Sequence, residues 1–429
     1  MLHEDPNDVL RLAHDAFRID DAPAVRLLID KYPMLKARIN DPVGDFDSPV
    51  IMSVRSRGML DVLLDAGADI NARSRWWAGG FGLLDTASPE LAAYAIERGA
   101  TITAHAAARL GMLDKLRALI DADPDLVRAR GGDGQTPLHF AATVGIAEYL
   151  LGCGTDIDAR DIDHESTPAQ YMVAKRPEIA RYLVGRGCKT DILMAAALGD
   201  SDSIRRHLDA DPDSIRMRVS DEYFPMINPR SGGTIYQWEL GWHVSAVQVA
   251  RSFGHSESFD LLMERSPADE KLLNACWLHD EAAVRSLLAQ QPNLSAQLTP
   301  SGQRQLAHAA RNNDTMAARL MLEAGLPVDT YTQHHATPLH WAAWHGSADL
   351  VGLILRRNPP LDDTSNDYKG TPVDWAVHGS QNGWNRQTGD YTPTLEVLLD
   401  AGAPLPGRIG GTDAVQAVLR RHGPSAFGM

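Results

Sequence analysis

Residues 133–145 read DGQTPLHFAATVG and residues 335–346 read HATPLHWAAWHG; these two stretches decide the fold. In each, a threonine (Thr136 or Thr337) stands where its hydroxyl can cap a helix. The proline that follows, Pro137 or Pro338, suits the first helical turn, where its missing N–H is not needed. The alanine pair then lets a neighbouring helix approach closely. A degenerate copy, KGTPVDWAVHG, starts at Lys369. Working outward, an ending also recurs: LLDAGADINAR at 63–73, LLGCGTDIDAR at 150–160 and LLDAGAP at 398–404. Its leucine pair supplies the core of a second helix, and its glycine ends that helix with a positive φ. The copies fall on a period of about 33 residues. One such unit cannot bury its own apolar face, so its stability comes from stacking on neighbours.

These motifs resemble those of the ankyrin-repeat family, across nearly the whole chain. The resemblance implies an all-α solenoid of about twelve or thirteen helix–turn–helix repeats with finger turns and a concave groove. On that template inner helices begin near Asp8, Pro49, Phe81, Thr103, Thr136, Thr167, Asp191, Ser245, Ala268, Gln303, Thr337 and Thr371, and a last helix covers 412–421. A single continuous array over 1–429 is expected: N-terminal repeats in 1–218, C-terminal repeats in 219–406 and a cap in 407–429. The ends are polar, with Glu4, Asp5 and Asp8 at one and Arg420 and Arg421 at the other. Two insertions break the period, VSDEYFPMINPRSGGTIYQWEL after Arg218 and SQNGWNRQTGDYTP after Gly379. Insertions in solenoids map to loops, often on the binding face.

Composition narrows the function. Lys and Arg number 41 against 56 Asp and Glu, a net charge of −15, with no basic stripe to follow phosphates, so no nucleic-acid partner is expected. The first twenty residues are acidic, and no apolar run reaches the roughly 18–20 residues that cross a bilayer, so a cytoplasmic protein without a membrane partner is expected. Cys153, Cys188 and Cys276 are odd in number and far apart, which fits thiols in a core. No phosphate loop, HExxH motif or nucleophile elbow is present, and no cofactor is expected; a divalent metal on histidines and carboxylates is the only variant the residue types allow.

The candidate site comes from the two positions after each alanine pair, which in the ankyrin family point from the inner helix into the groove. Early repeats carry Thr143 and Val144, then Ala197 and Leu198. Later ones carry Ser252 and Phe253, Trp277 and Leu278, Arg311 and Asn312, Trp344 and His345, and finally His378. Finger turns add Trp242, His243, His334, His335 and Tyr368, and the insertions add Tyr223, Tyr236, Trp238, Trp384, Arg386, Asp390 and Tyr391. Most of the nine tryptophans lie after residue 237. Large polarizable groups on a solvated groove point to a ligand. Trp341 and Trp375 are read as packing between helices, and His139 and His340, by the resemblance, as bonding within their own turns. A secondary cluster, Asp163, His164 and Glu165, sits on one finger tip, where it can bind metal, move protons or simply be a charged turn.

Two functions compete. The first is a binding protein that takes a small molecule, protein or peptide in the groove of the C-terminal half, with aromatic and arginine residues as anchors. The second is an enzyme on the same scaffold, a lyase, isomerase or hydrolase of a polyol-like or polycyclic molecule. In it His345 or His378 is acid or base, Asp374 or Asp390 the orienting carboxylate, and the tryptophans the platform. Asp374 stands where TPLH has histidine. A scaffold with separate partners for its two halves would need a second aromatic cluster early in the chain, for which Trp76 and Trp77 are the candidates.

Overall fold

A computed structural model describes residues 6–423; Glu4 and Asp5 of the expected polar cap lie outside them. Repeats open on an extended residue whose side chain takes a free N–H of the inner helix. Thr103 accepts from Ala106, Thr167 from Gln170, Ser245 from Gln248, Thr337 from His340 and Thr371 from Asp374. In the last four the third helical residue reaches back to the cap's own N–H, at 2.9 Å for Gln170, 3.0 Å for Gln248, 3.3 Å for His340 and 2.8 Å for Asp374. A reciprocal cap satisfies two donors that the helix cannot, and a single cap is worth about 1 kcal/mol. The TPLH histidine therefore does bond within its turn. Its far nitrogen then ties the next finger: His139 Nε2 lies 3.2 Å from the Ser166 carbonyl and His340 Nε2 3.0 Å from that of Asp363. Burial pushes His139 down to about 3 and lowers His340 as well.

Inner elements follow at Pro6–Arg18, Val50–Ser53, Leu83–Thr86, Ala104–Arg109, Pro137–Phe140, Pro168–Met172, Ile192–Leu198, Ala246–Ser252, Ala268–Trp277, Gln305–Arg311, Pro338–Trp344 and Pro372–Asn382, with Asp413–His422 last. All start close to the positions expected from the motifs. In the recurring endings the first leucine (Leu63, Leu150, Leu398) is fully buried and the second is half-buried. The unit opened by Thr136 departs from the pattern. It is three residues shorter than the one opened by Thr337, so its inner element shrinks to a single 3-10 turn, and Thr143 caps the outer helix Val144–Gly152. Thr143 and Val144 thus begin an outer helix instead of following an inner one, and Ala197 and Leu198 are buried. Among the described residues the one sheet is a two-stranded hairpin, Pro42–Gly44 with Ser48–Pro49.

The chain divides into two compact units, and their border differs from the expected one at 218/219. One unit runs to Leu198 and takes back Val219–Trp242; the other joins Gly199–Arg218 to the chain from His243 onward. Side chains explain both exchanges. Ser201 meets Ser258 at 3.2 Å, and Arg218 is buried in an ion pair with Glu270 at 2.9 Å, next to Arg216 with Asp269 at 2.7 Å. The first insertion instead folds back on the N-terminal unit, where the Tyr236 hydroxyl donates to Asp191 at 3.0 Å.

Candidate functional site

The C-terminal unit holds a cavity of about 440 Å³ lined by Trp341, Trp344, Trp375, Trp384, Tyr368, His334, Asp374 and His378. Helical spacing builds most of it. Trp341 and Trp344 are three residues apart on Pro338–Trp344, as are Trp375 and His378 on Pro372–Asn382, so each pair shares a face. These two helices approach closely because Gly379 has no side chain: a Cβ there would meet the Trp344 carbonyl at 2.4 Å. The insertion then turns back on itself, with Gly383 N donating to Gly379 O at 2.8 Å and Asp390 N to Gly346 O at 2.8 Å, and lays Trp384 over the groove.

Ring geometry is that of a cage. Trp341 and Trp384 lie nearly parallel at 5.8 Å, Trp344 meets Trp384 at 85°, and Trp375 stands edge-on to Trp341 at 5.2 Å and to Trp344 at 6.0 Å. Tyr368 closes the finger side, 5.8 Å from Trp375 and 5.1 Å from His334. Trp341 Nε1 donates to Thr332 Oγ1 at 2.8 Å, which fixes that wall. The Arg311 guanidinium rests on Trp384 at 5.2 Å and Trp341 at 5.6 Å. Asp374 is half-buried, and both of its cap bonds, from Thr371 N and Thr371 Oγ1, fall on Oδ2. Its replacement of the TPLH histidine thus keeps the cap and adds a carboxylate to the cavity wall.

Other expected site residues lie elsewhere. Trp277 is buried in the core with its Nε1 on Gln305 at 2.9 Å. His243 is buried and stacked on His308 at 3.3 Å, and burial holds both far below the usual imidazole range. Tyr391 packs in the core, donates to the Trp344 carbonyl at 2.9 Å, and is pushed up to about 12 by burial. These three are buried and bonded or stacked within the core, and so are structural. His345 is 3% exposed, bonds the Arg311 carbonyl at 2.7 Å and has its pKa lowered by burial. It and the exposed Asp390 and Arg386 do not line the cavity. His335 stacks on Tyr331 at 4.0 Å and half-buried Phe253 on His255 at 6.5 Å. Trp341 and Trp375, read from the sequence as packing residues only, do pack, yet each also presents a ring to the cavity.

Tyr223, Trp238 and Trp242 belong to the N-terminal unit. Trp238 lies on His164, ring centroids 4.7 Å apart, beside a cavity of about 670 Å³. The finger tip grips the insertion: Glu165 accepts from Ile227 N at 3.0 Å, Asn228 N at 2.8 Å and Ser231 Oγ at 3.2 Å. Burial works to raise the Glu165 pKa, but these donors hold it below the ordinary range. The sequence reading missed Asp133, which faces His164 from the preceding finger tip with its Oδ2 3.9 Å from Nε2. Burial raises it to about 6. Its signal was the spacing: Asp133 and Asp163 stand one repeat apart, and adjacent finger tips are neighbours in a stacked array. Phe46 and Trp76 meet edge-on at 4.8 Å on the same cavity, and Trp76 lies 6.2 Å from Trp77, both indoles half-buried.

Comparison with known proteins agrees with the helix pairs. An ankyrin-repeat family model matches three copies over residues 104–194 and 272–367. The chain is 32% identical over 93 residues to the E3 ubiquitin-protein ligase XB3 of Oryza sativa subsp. japonica (21% of this chain, 21% of that protein). It is 23% identical over 277 residues to the E3 ubiquitin-protein ligase KEG of Arabidopsis thaliana (54% and 17%). It is 28% identical over 88 residues to a putative palmitoyltransferase, ZDHHC13, of Danio rerio (20% and 14%). The matches thus span about a fifth or less of these relatives. The human ASB11 ankyrin repeat domain is similar at 22% identity with a TM-score of 0.32, covering 56% of this chain and all of that domain. Among the described residues no helix is long and apolar enough to cross a membrane. Repeats of this kind form protein-interaction scaffolds, and the chain carries ankyrin repeats over residues 104–194 and 272–367.

Proposed function

We propose that the C-terminal unit is a recognition module whose cavity takes an alkylated ammonium group, carried by a small molecule or by a side chain of a protein partner. The observation behind this is the convergence of four indoles and a phenol on one cavity with a single carboxylate, Asp374, in its wall. Ring faces carry partial negative charge, and a cation over a desolvated ring gains about 2 kcal/mol. Arg311 already uses two of these rings in that way. The cavity is of the size that holds a small ligand. A binding role has more support than catalysis, because the wall is chiefly aromatic and, of the acid–base set, His345 is tied to a backbone carbonyl and Asp390 lies outside the lining, while Asp374, which lines it with His378, already holds the Thr371 cap. The proposal includes a cytoplasmic setting, supported by three free thiols of which Cys188 and Cys276 are buried.

The test is calorimetric titration of the full chain with choline, betaine and trimethyllysine against 3,3-dimethylbutan-1-ol, the neutral isostere of choline. Binding of the cations at least tenfold tighter than the isostere supports the reading. Equal affinity for both overturns it in favour of a purely apolar pocket, and no binding of any of them overturns it altogether.

A further inference from the structure

The N-terminal unit carries a cavity that the proposed function does not use, and three ligand-type groups meet in its wall. Asp133, Asp163 and His164 each offer one donor atom within 4.8 Å of the others; His164 Nε2 is 3.7 Å from Asp163 Oδ2 and 3.9 Å from Asp133 Oδ2. Zinc–ligand bonds of about 2.0–2.2 Å place neighbouring donors 3–4 Å apart, so the set closes on an ion with shifts of a few tenths of an ångström.

Two further observations separate this cluster from a charged turn. His164 Nδ1 lies 2.8 Å from the Gly233 carbonyl, which can only accept, so Nδ1 bears a proton and Nε2 is the nitrogen turned to the carboxylates. A carbonyl on the far nitrogen is also what orients a metal-bound imidazole. Asp163 is 5% exposed, yet only its Oδ1 is satisfied, by Gly232 N at 3.2 Å. No donor of the described residues reaches Oδ2, since His164 Nε2 stops short at 3.7 Å. A carboxylate oxygen without a protein donor, in a nearly buried side chain on the wall of a cavity, is free to bind a cation. Asp161, in the same loop, shows the contrast: it accepts from His164 N at 2.8 Å, Ser166 N at 2.7 Å and the Tyr171 hydroxyl at 3.1 Å, and so is spent on holding the turn.

We propose that Asp133, Asp163 and His164 bind one divalent transition-metal ion of the zinc class, with its open coordination positions facing the cavity of the N-terminal unit. One imidazole and two carboxylates without a thiolate suit zinc, cobalt or manganese. Trp76 and Trp238 wall the same cavity, so an oxygen ligand of a bound molecule would complete the coordination between two indoles. The first insertion is then a device for building the site, because Gly233 comes from it and Glu165 secures it.

Cobalt(II) titration of the chelator-treated full chain, read by its visible spectrum, and metal analysis after dialysis against zinc test the proposal. Expected are one ion per chain, displacement of cobalt by zinc, and at least about a 100-fold loss of affinity in His164→Ala and Asp163→Asn. His422→Ala, at an exposed position outside both cavities, should leave binding unchanged. If circular dichroism shows either variant unfolded, the near-isosteric Asp133→Asn decides. No retained metal, or metal retained equally by the folded variants, overturns the assignment whatever the outcome for the C-terminal cage.

Discussion

In the N-terminal unit the tryptophan of the insertion, Trp238, lies on an imidazole beside two carboxylates. In the C-terminal unit Trp384 lies on two further indoles beside one. Both rings are largely exposed, at 58% and 59%. In each case an insertion that breaks the repeat carries a large ring back over ordered repeat positions. What it covers decides the chemistry of the cavity: titratable groups on neighbouring finger tips in one unit, ring faces of two inner helices in the other. The insertions are also secured differently. The first hangs on hydrogen bonds to Glu165 at a half-exposed finger tip, whereas the second follows directly from the helix that contains Gly379.

The comparison can be broken most strongly at the segment that crosses between units. Arg218 and Glu270 are both almost fully buried, so Glu270→Gln leaves a buried guanidinium without its counter-charge and should cost about 3–5 kcal/mol. Denaturant unfolding that shows a loss confined below about 1 kcal/mol would mean that Gly199–Arg218 is held to its unit by packing alone.

Acid should separate the units next. His105 and His139 in the N-terminal unit and His243, His308, His340 and His345 in the C-terminal unit all have pKa values lowered chiefly by burial. The unfolded chain binds those protons near pH 6.5 and the folded chain does not. Stability is therefore complete above 6.5 and is lost as pH falls toward the folded values, which for His139 means toward about 3. Two pH units below 6.5 this costs about 2–3 kcal/mol for His139. With four such groups against two, hydrogen exchange at pH 5 should show the C-terminal unit opening first. Equal loss in both would show that its histidines relax into solvent contact.

Smaller effects sharpen the contrast of the sites. Glu165→Gln should lower stability by only about 1 kcal/mol, and protease cleavage should become faster within 223–231 while the C-terminal unit is unaffected. Trp384→Ala, at an exposed ring, should change stability by less than about 1 kcal/mol and lower affinity for a trimethylammonium ligand at least tenfold. Asp374→His should restore the cap of the Thr136 and Thr337 units, leave the melting temperature nearly unchanged and still weaken the cation about tenfold, which calorimetry would read. Unchanged affinity in that variant would assign Asp374 to the cap alone.

Replacing Trp344 and His345 together would not probe binding alone. His345 is buried and bonded to Arg311, so the pair would report on folding as much as on binding.

Much of the fold was legible because capping is local. Thr136, Thr167, Ser245, Thr337 and Thr371 are recognised from the residues three positions on, and the leucine pairs name the buried face of the outer helices. The site was legible only in part. Trp344, Tyr368, Trp384, His334 and His378 follow from their positions in the repeat or insertion. Trp277, His243 and Tyr391 occupy equivalent positions and are nevertheless core, because exposure depends on what the next repeat and the insertion lay over them. Asp374 was read as a departure from the family and turned out to keep the cap. Three missing residues turned Thr143 from a groove position into a helix cap, a difference that only an aligned neighbour reveals.

By itself the sequence determined the repeat, the helix starts, the finger turns and the concentration of aromatics after residue 237, since each rests on interactions within a few residues. Tertiary structure alone decided that the first insertion returns to Glu165 and Asp163, more than sixty residues back, that Asp133 faces His164 across two finger tips, and that Trp341 and Trp375 show one ring face to a cavity. The physical reason is range: capping and turn formation are fixed by neighbours in the chain, whereas the enclosure of a cavity is the sum of contacts between segments whose separation in sequence carries no trace of their meeting.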